Sequence, residues 1–399
     1  MKDRGACAAL VLALVASTLV ACGSAGAEGT SGTVTLGVIS DRTGPTISSQ
    51  GPWFDGFTTA INAENAAPGA LAATIKVVSQ DDKYDPAAGL AAYKELIAKQ
   101  STLAVVATNP GLQSVLAKRL DRDKIPVVAG MVPSRDAIRP LNDWFFSVPP
   151  NYGDQVDVMT GYAATIVKNP KPKVALINNG TVTGHEVEEL LEAKFGSIES
   201  VVLPPAATSA DAQVQKVTQG HPDYVILHGN PSGANLVLRA IQKQGLGVPV
   251  VGVAQAGGPT VFKEIAPEVT KQYHYVAPFT PASAVVPGTK TLIEAAKASG
   301  FEAEASISDF VNGYVVGRVM IKALVDAGDQ PTRKTVKTGM EAIDDLDTGG
   351  LSGRLGFGPD DHLGLATLRI AGWDPAKRSL TFVGDYDDFE KYLTNAYGN

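Results

Sequence analysis

The residues best suited to chemistry fail, motif by motif, to assemble a catalyst. In "HEVEE", His185 and Glu186 begin a zinc-helix pattern, but Glu189 stands where the second histidine belongs. There is no G-x-x-x-x-G-K-[ST] phosphate loop, no G-x-G-x-x-G after a strand and no G-x-S-x-G nucleophile elbow. "DDLDTGG", Asp344 to Gly350, offers carboxylates for calcium without the closing glutamate, so it reads as a solvated turn. His221, His274 and His362 read as surface residues. His228 directly follows an apolar run and is a candidate to face a cleft. The expectation is a protein without enzyme activity, metal or cofactor.

What recurs instead is a polar loop after an apolar run. Five such loops stand out: Asp41–Gly51, Thr108–Gly111, Asn178–His185, His228–Gly233 and Ala254–Pro259. Loops of this kind feed helix N-termini, where free N–H groups and a partial positive charge suit a polar or carboxylate-bearing small molecule. In open α/β sheets, ligands collect at that end of the strands. Each loop taken alone is also the ordinary turn that an α/β protein needs.

The elements that position these loops are legible. "VTLGVI", "TIKVVS", "LAVVA", "PVVAG", "KVALIN", "DYVIL" and "VPVVGV" are short runs without strict alternation, as strands buried on both faces require. Between them Trp53, Phe54, Phe57 and Ile61 recur at helical spacing, which favours core packing for Trp53 over a place in a pocket. Asp85 followed by Pro86 predicts a capped helix to Lys99, and a long helix is expected from Ser306 to Ala327. Strand–helix alternation implies parallel sheets with right-handed crossovers. The alternation breaks at "WFFSVPPNYGDQ", and again near Tyr275–Gly288, as a crossing between two α/β domains would require. "GGLSGRLGFGPDDHLG" reads as a hairpin turning at Pro359, Asp360 and Asp361.

The chain has 399 residues, 44% of them hydrophobic, which is enough for two cores. A net charge of −7, with no basic stripe, argues against nucleic acid as a partner. Lys2 and Arg4 precede a short apolar stretch ending in "LVAC". This reads as a signal peptide over residues 1–21, with Cys22 the lipidation site and 22–33 a flexible tether. The only other cysteine, Cys7, leaves with the signal, so no disulfide is expected.

The lipobox, "TLGVISDRTGP", "DDKYDPAAG", "KIPVVAG", "WFFSVPPNYGDQ", "LVLRAIQKQGL" and "SGRLGFGPDDHLG" follow one another in an order that resembles the Leu/Ile/Val-binding type of solute-binding protein. The resemblance implies the type I periplasmic binding fold, α/β, with two doubly wound parallel-sheet lobes joined by a three-strand hinge. Lobe one would combine 34–149 with 279–358, and lobe two 150–278 with 359–399. It further implies a lipid-anchored, monomeric receptor on the outer face of the cell membrane that closes on a small-molecule solute and delivers it to ABC importer permease subunits. A sensory module of the same fold, reporting a ligand to a membrane partner, is the alternative.

Ligand contacts implied by the resemblance are Ser48, Ser49 and Gln50 in the first loop, Asn109, Pro110 and Gly111 after the third strand, and Gly130 and Met131 after the fourth. In lobe two they are Thr183 and Gly184, Asn230, and Gln255, with Asp309 or Phe310 added from the helix containing Tyr314. The position that pairs a ligand's amino group in relatives holds Ala254 and Gln255, which carry no charge. Two readings therefore stand. Either Asp309, Asp41 or Glu186 supplies the anion, or the solute is neutral or anionic, such as an amide or an aromatic acid.

Overall fold

The structure, a computed structural model, describes residues 32–99, 101–365, 367–394 and 397. Cys22, the signal segment and most of the tether lie outside the described residues. The apolar runs become strands β1 (Thr33–Ser40), β2 (Thr74–Asp81), β3 (Ala104–Ala107), β4 (Val127–Ala129) and β5 (Phe145–Ser147). They form one parallel sheet in the order β2-β1-β3-β4-β5, with Leu36 of β1 set between Val77 and Ala104. β3 and β4 are buried throughout, which is why they are written in Val and Ala without polar alternation.

The second sheet adds β6 (Val174–Asn178), β7 (Glu199–Val202), β8 (Tyr224–Leu227), β9 (Val250–Gly252) and β10 (Tyr273–Ala277), all parallel. Here the structure goes beyond the parallel expectation. β11 (Arg369–Asp374) and β12 (Ser379–Val383) pair antiparallel and extend one edge, giving the order β12-β11-β10-β9-β8-β6-β7. β12 is the edge strand, mostly half-buried or exposed, and its sequence lacks the dense apolar signature of the central strands.

Helices form where the sequence places them. The helix Pro86–Lys99 opens with the Asp85 carboxylate accepting from the Ala87 N–H at 2.8 Å. The long helix is Ser308–Asp326. The predicted hairpin is an irregular one, closed by the Gly358 N–H donating to the Asp361 carbonyl at 2.8 Å. Among the described residues no helix is long and apolar enough to cross a membrane.

The apolar core on the first sheet draws on residues 34–148 and 279–365, and that on the second chiefly on residues 152–277 and 368–389. The chain therefore passes between them three times: after Ser147, after Ala277 and after Leu365. Two of these crossings are laced together, since the Ser147 N–H donates to the His362 carbonyl at 2.9 Å and Gly364 donates back to Ser147 at 2.7 Å. His362 is buried here, correcting the surface expectation. Its ring stacks on Phe146 at 3.9 Å, and Nδ1 lies 3.0 and 3.1 Å from the carbonyls of Phe145 and Asn142, so it donates there. His274 is also largely enclosed, and burial lowers it to about 4.

One contact in the first core stands out for its closeness. The helices Ile47–Ala66 and Ser308–Asp326 meet backbone to backbone through glycines. A Cβ on Gly313 would fall 1.8 Å from the Trp53 carbonyl oxygen, and one on Gly56 would fall 2.0 Å from that of Phe310. Trp53, fully buried, stacks on Phe57 and covers Gly130, where a Cβ would lie 2.4 Å from its ring. Trp53 is core rather than pocket. Replacing Gly313 by Ala forces the helices apart, and the expected cost is about 1–3 kcal/mol or more. A urea titration of Gly313→Ala with an unchanged midpoint would contradict this packing.

Candidate functional site

Between the two sheets, at the carboxyl ends of their parallel strands, lies a cleft with about 740 Å³ of atom-free space, part of it continuous with solvent. One wall comes from the first lobe: Pro45, Thr46, Ser49 and Gln50 from the first loop, Tyr84 after β2, Thr108 and Pro110 after β3, and Met131 after β4. The opposite wall is Tyr152, Asn179, Thr181, Thr183, His228, Asn230 and Gln255. Among the described residues, none that lines it is an aspartate, glutamate, lysine or arginine.

The first wall is built by side chains that satisfy each other. Asp41, fully buried, accepts from the N–H groups of Gly44 and Thr46 and from the Thr46 hydroxyl, the latter two at 2.7 Å. Gln50 accepts from the Asp41 N–H at 2.6 Å and from the Thr108 hydroxyl, and donates to Thr46 Oγ1 at 2.9 Å. Gln50 therefore lines the cleft with its amide already engaged, locking the first loop to the end of β3. Asn109 caps the helix Pro110–Ala117 by accepting from Gly111 and Leu112.

On the second wall Asn230 caps the helix Pro231–Gln244, accepting from the Gly233 N–H at 2.7 Å. Thr181 caps Val182–Phe195 through the Gly184 N–H. A hydroxyl chain then runs across this wall: Thr181 donates to Asn179 Oδ1 at 2.7 Å, Thr183 lies 3.1 Å from Thr181, and the Tyr152 phenol bonds to Thr183. His228, 3% exposed, sets its ring 5.3 Å from Tyr152, and its Nδ1 has no partner. Burial lowers the imidazole to about 4, so it is neutral at physiological pH. A neutral ring can accept or donate, but contributes no charge.

Of the residues singled out from sequence, Ser49, Gln50, Pro110, Met131, Thr183, His228, Asn230 and Gln255 come together on this cleft. The others do not line it. Ser48 faces solvent, and Phe310 is fully buried in the first core, where its helix faces Gly56. Gly130 lies beneath Trp53, while Asn109, Gly111 and Gly184 belong to the helix caps. Asp309 opens into a second chamber behind the cleft, toward the crossings. Tyr84 and Tyr152 were missed, although both sit in quoted motifs, "DDKYDP" and "PPNYGDQ". Tyr84 carries a readable structural signal: it and Lys83 both have positive φ (62° and 50°), a costly pair for non-glycine residues that turns the phenol into the cleft.

At the rim the lobes touch directly. The Arg135 N–H donates to Glu186 Oε2 at 3.0 Å, and its guanidinium meets Glu189 at 2.9 Å, while the Tyr397 hydroxyl bonds to the other oxygen of Glu186. Glu186 and Glu189 of the zinc-like motif thus serve an inter-lobe contact. His185 instead faces solvent beside Glu188.

Two lobes, a cleft between them and a triple crossing describe an architecture that sequence comparison can name. A sequence model described as periplasmic binding protein matches residues 33–378. The chain belongs to this family. Among curated relatives, the Leu/Ile/Val-binding protein homolog 3 of Brucella melitensis is 23% identical over 86% of this chain and 92% of its own. A branched-chain amino acid ABC transporter structure from Thermus thermophilus, with bound valine, superposes with a TM-score of 0.80 at 18% identity, covering 89% of this chain and 96% of that one. A fatty acid ABC transporter substrate-binding protein from Thermomonospora curvata gives 0.77 at 19% identity, covering 90% and 94%. The family and fold are those of periplasmic substrate-binding proteins, and the fold is type I.

His228 yields a pH prediction. Unfolded, it takes up a proton near 6.5, and in the fold only near 4, so the unfolded state binds more protons between those values. Stability is therefore lost as pH falls through that window, by up to roughly 3 kcal/mol from this group. Urea midpoints of wild type and His228→Gln at pH 7 and pH 4.5 isolate the effect, and wild type should lose more. Parallel losses in the two proteins would refute the assignment.

Proposed function

We propose that this protein is an extracytoplasmic receptor that captures a small polar or carboxylate-bearing solute by hinged closure and hands it to an ABC import permease. The observation that carries the reading is the cleft itself: its lining comes from both lobes, and it ends in side chains with unused hydrogen-bonding capacity. His228 Nδ1 and Gln255 Oε1 are enclosed without partners. Buried polar groups of this kind are ordinarily satisfied, and a solute would satisfy them. Ser49, Tyr84, Met131, Tyr152, Thr183, Asn230 and Gln255 are the proposed contacts. Closure moves the body built on residues 34–148 and 279–365 against that built on 152–277 and 368–389, and the loaded form presents a surface that the open form lacks.

The lining favours capture over turnover. A nucleophile would need a base within hydrogen-bond reach, and His228 faces Tyr152 rather than a serine or cysteine. "LVAC" supports attachment at Cys22 to the outer face of the cell membrane.

A thermal-shift screen of the full chain against amino acids, amides, aromatic acids and sugars tests this reading. A specific solute at a hundred times its Kd should stabilise the fold by about 2.7 kcal/mol. Small-angle scattering with that solute should show a smaller radius of gyration. A panel in which nothing raises the melting temperature, with no solute carried through native mass spectrometry, would sink it. Within a binding chain, Tyr152→Ala is expected to weaken the solute at least about tenfold by removing an aromatic wall and the partner of Thr183. Unchanged affinity would remove Tyr152 from the site.

A further inference from the structure

Behind the cleft, on the side of the crossings, a second chamber has about 380 Å³ of atom-free space. Asp309 and Asn312 wall it from the first lobe, Ala254 and Gln255 from the second. Asn312 Oδ1 and Gln255 Oε1 have no partner, and the side-chain partner of Asp309 is the Ser49 hydroxyl. Among the described residues no lysine, arginine or histidine lines this space. Met131 lines both the chamber and the front cleft, so it stands where the two spaces join. Its position is held from two sides. The Gln113 amide donates to the carbonyls of Ala107 at 2.8 Å and of Met131 at 3.4 Å. The Asn312 amide donates to the Gly130 carbonyl at 3.0 Å and to the Met131 sulfur at 3.4 Å.

The sulfur atoms of the chain set Met131 apart. Residues 23–399 contain no cysteine, so no thiol competes for an oxidant there. Met159 lies in the core on the second sheet, Met320 and Met340 in that on the first, and each is 0% exposed. Met131 is half-buried, and among the described residues it is the methionine with accessible surface. Oxidation follows access. A small neutral oxidant that enters the cleft with water therefore meets this sulfur first.

Resting on the solute-receptor reading, we propose that Met131 is a modification site, at which hydrogen peroxide oxidises the thioether and thereby weakens solute capture. A sulfur lone pair attacks one oxygen of the peroxide. The S–O bond forms as the O–O bond breaks, and sulfur gives up two electrons. The departing hydroxide takes the proton from the transferred oxygen, so one thioether and one peroxide become one sulfoxide and one water. A thioether sulfur has two lone pairs. The Asn312 contact engages one, which leaves the other for the attack.

The product fits this wall poorly. The thioether is apolar and adaptable, and it packs against the first core. The sulfoxide is polar, chiral and larger by one oxygen. Once enclosed, that oxygen needs a donor. The donor at hand is the Asn312 amide, already divided between Gly130 and the sulfur, so engaging it shifts a group that ties the end of β4 to the helix Ser308–Asp326. Otherwise the oxygen projects into the chamber, toward Ala254 and Gln255 of the second lobe. Either course alters the surface on which the closing lobe seats.

The test treats the full chain with dilute hydrogen peroxide and follows each methionine by peptide mapping in a mass spectrometer. The Met131 peptide should gain one oxygen at least about tenfold faster than those of Met159, Met320 and Met340, and unfolding the chain first should erase the difference. Equal rates in the folded chain, or a Met131 peptide that stays unoxidised, overturn the site. For capture, leucine, benzoate, butyramide and glucose serve as probes. The one that stabilises the untreated chain should bind the oxidised chain at least about fivefold more weakly, and methionine sulfoxide reductases for both epimers should restore it. Whatever affinity Met131→Leu has before treatment, peroxide should change it by less than about twofold. Unchanged binding after full oxidation of Met131, or an equal loss in Met131→Leu, overturns the effect on capture. If these probes and the wider screen leave the untreated chain unmoved, the receptor reading falls and takes that effect with it, while the peptide map decides the modification site by itself.

Discussion

The site depends on two helices being allowed to touch. Gly56, Gly313 and Gly317 strip the side chains from the contact between Ile47–Ala66 and Ser308–Asp326, and the backbones close onto each other as no larger residue would permit. Both helices begin at the binding space. Their close approach is what sets Ser49, on the first turn of one, within hydrogen-bond reach of Asp309, on the first turn of the other. It also delivers Asn312 to the Gly130 carbonyl, tying the end of β4 to a helix that comes 182 residues later in the chain. Trp53 fills the remaining angle. A residue with the look of a ligand contact is spent on making the floor rigid.

That rigidity explains how polarity is distributed. Most polar side chains at the strand ends are consumed by their own backbone: Asp41 by the first loop, Asn109, Thr181 and Asn230 by helix caps, and Gln50 by Asp41 and Thr108. Each engaged group holds a loop still and adds little that a solute could use. Of the atoms left without a partner, His228 Nδ1, Gln255 Oε1 and Asn312 Oδ1 belong to residues that line the binding space and are enclosed by the walls those loops hold. An enclosed acceptor without a partner is costly, and filling it is correspondingly favourable. Selectivity in such a cleft comes from the small unsatisfied remainder rather than from the total number of polar residues.

This is also why sequence reading succeeded with the frame and only partly with the site. Buried parallel strands advertise themselves as Val, Ile and Ala runs, and Asp85-Pro86 announces a helix start because capping is local chemistry. The hairpin of β11 and β12 was not recognised, since an edge strand with one wet face loses that signature. At the strand ends, Asn, Ser and Thr are written identically whether they cap a helix or meet a ligand, so Asn109 and Thr183 could not be told apart. His362 read as a surface residue because its partners, Phe146 and the carbonyls of Asn142 and Phe145, lie more than 200 residues away. Tyr84 was legible only through its backbone: nothing in "DDKYDP" says that two consecutive left-handed residues will turn the ring inward.

The place of the unpaired acid has a consequence for closure. A carboxylate at the rim would attract a cation in either arrangement of the lobes and would favour neither. Asp309 instead lies where the walls include the crossing segments, Ala254 and Gln255 from the second lobe, and Met131 and Asn312 from the first. Asp309 and Asn312 share one helix and face the chamber together in either arrangement, so closure of the lobes would add Gln255 to them rather than assemble the whole set. A ligand shifts a two-state equilibrium by its differential affinity for the two states and by nothing else. The rim contact of Arg135 with Glu189 is largely exposed and so contributes little to that difference. The polar partner that depends on closure is therefore Gln255, the one of these acceptors that the second lobe supplies.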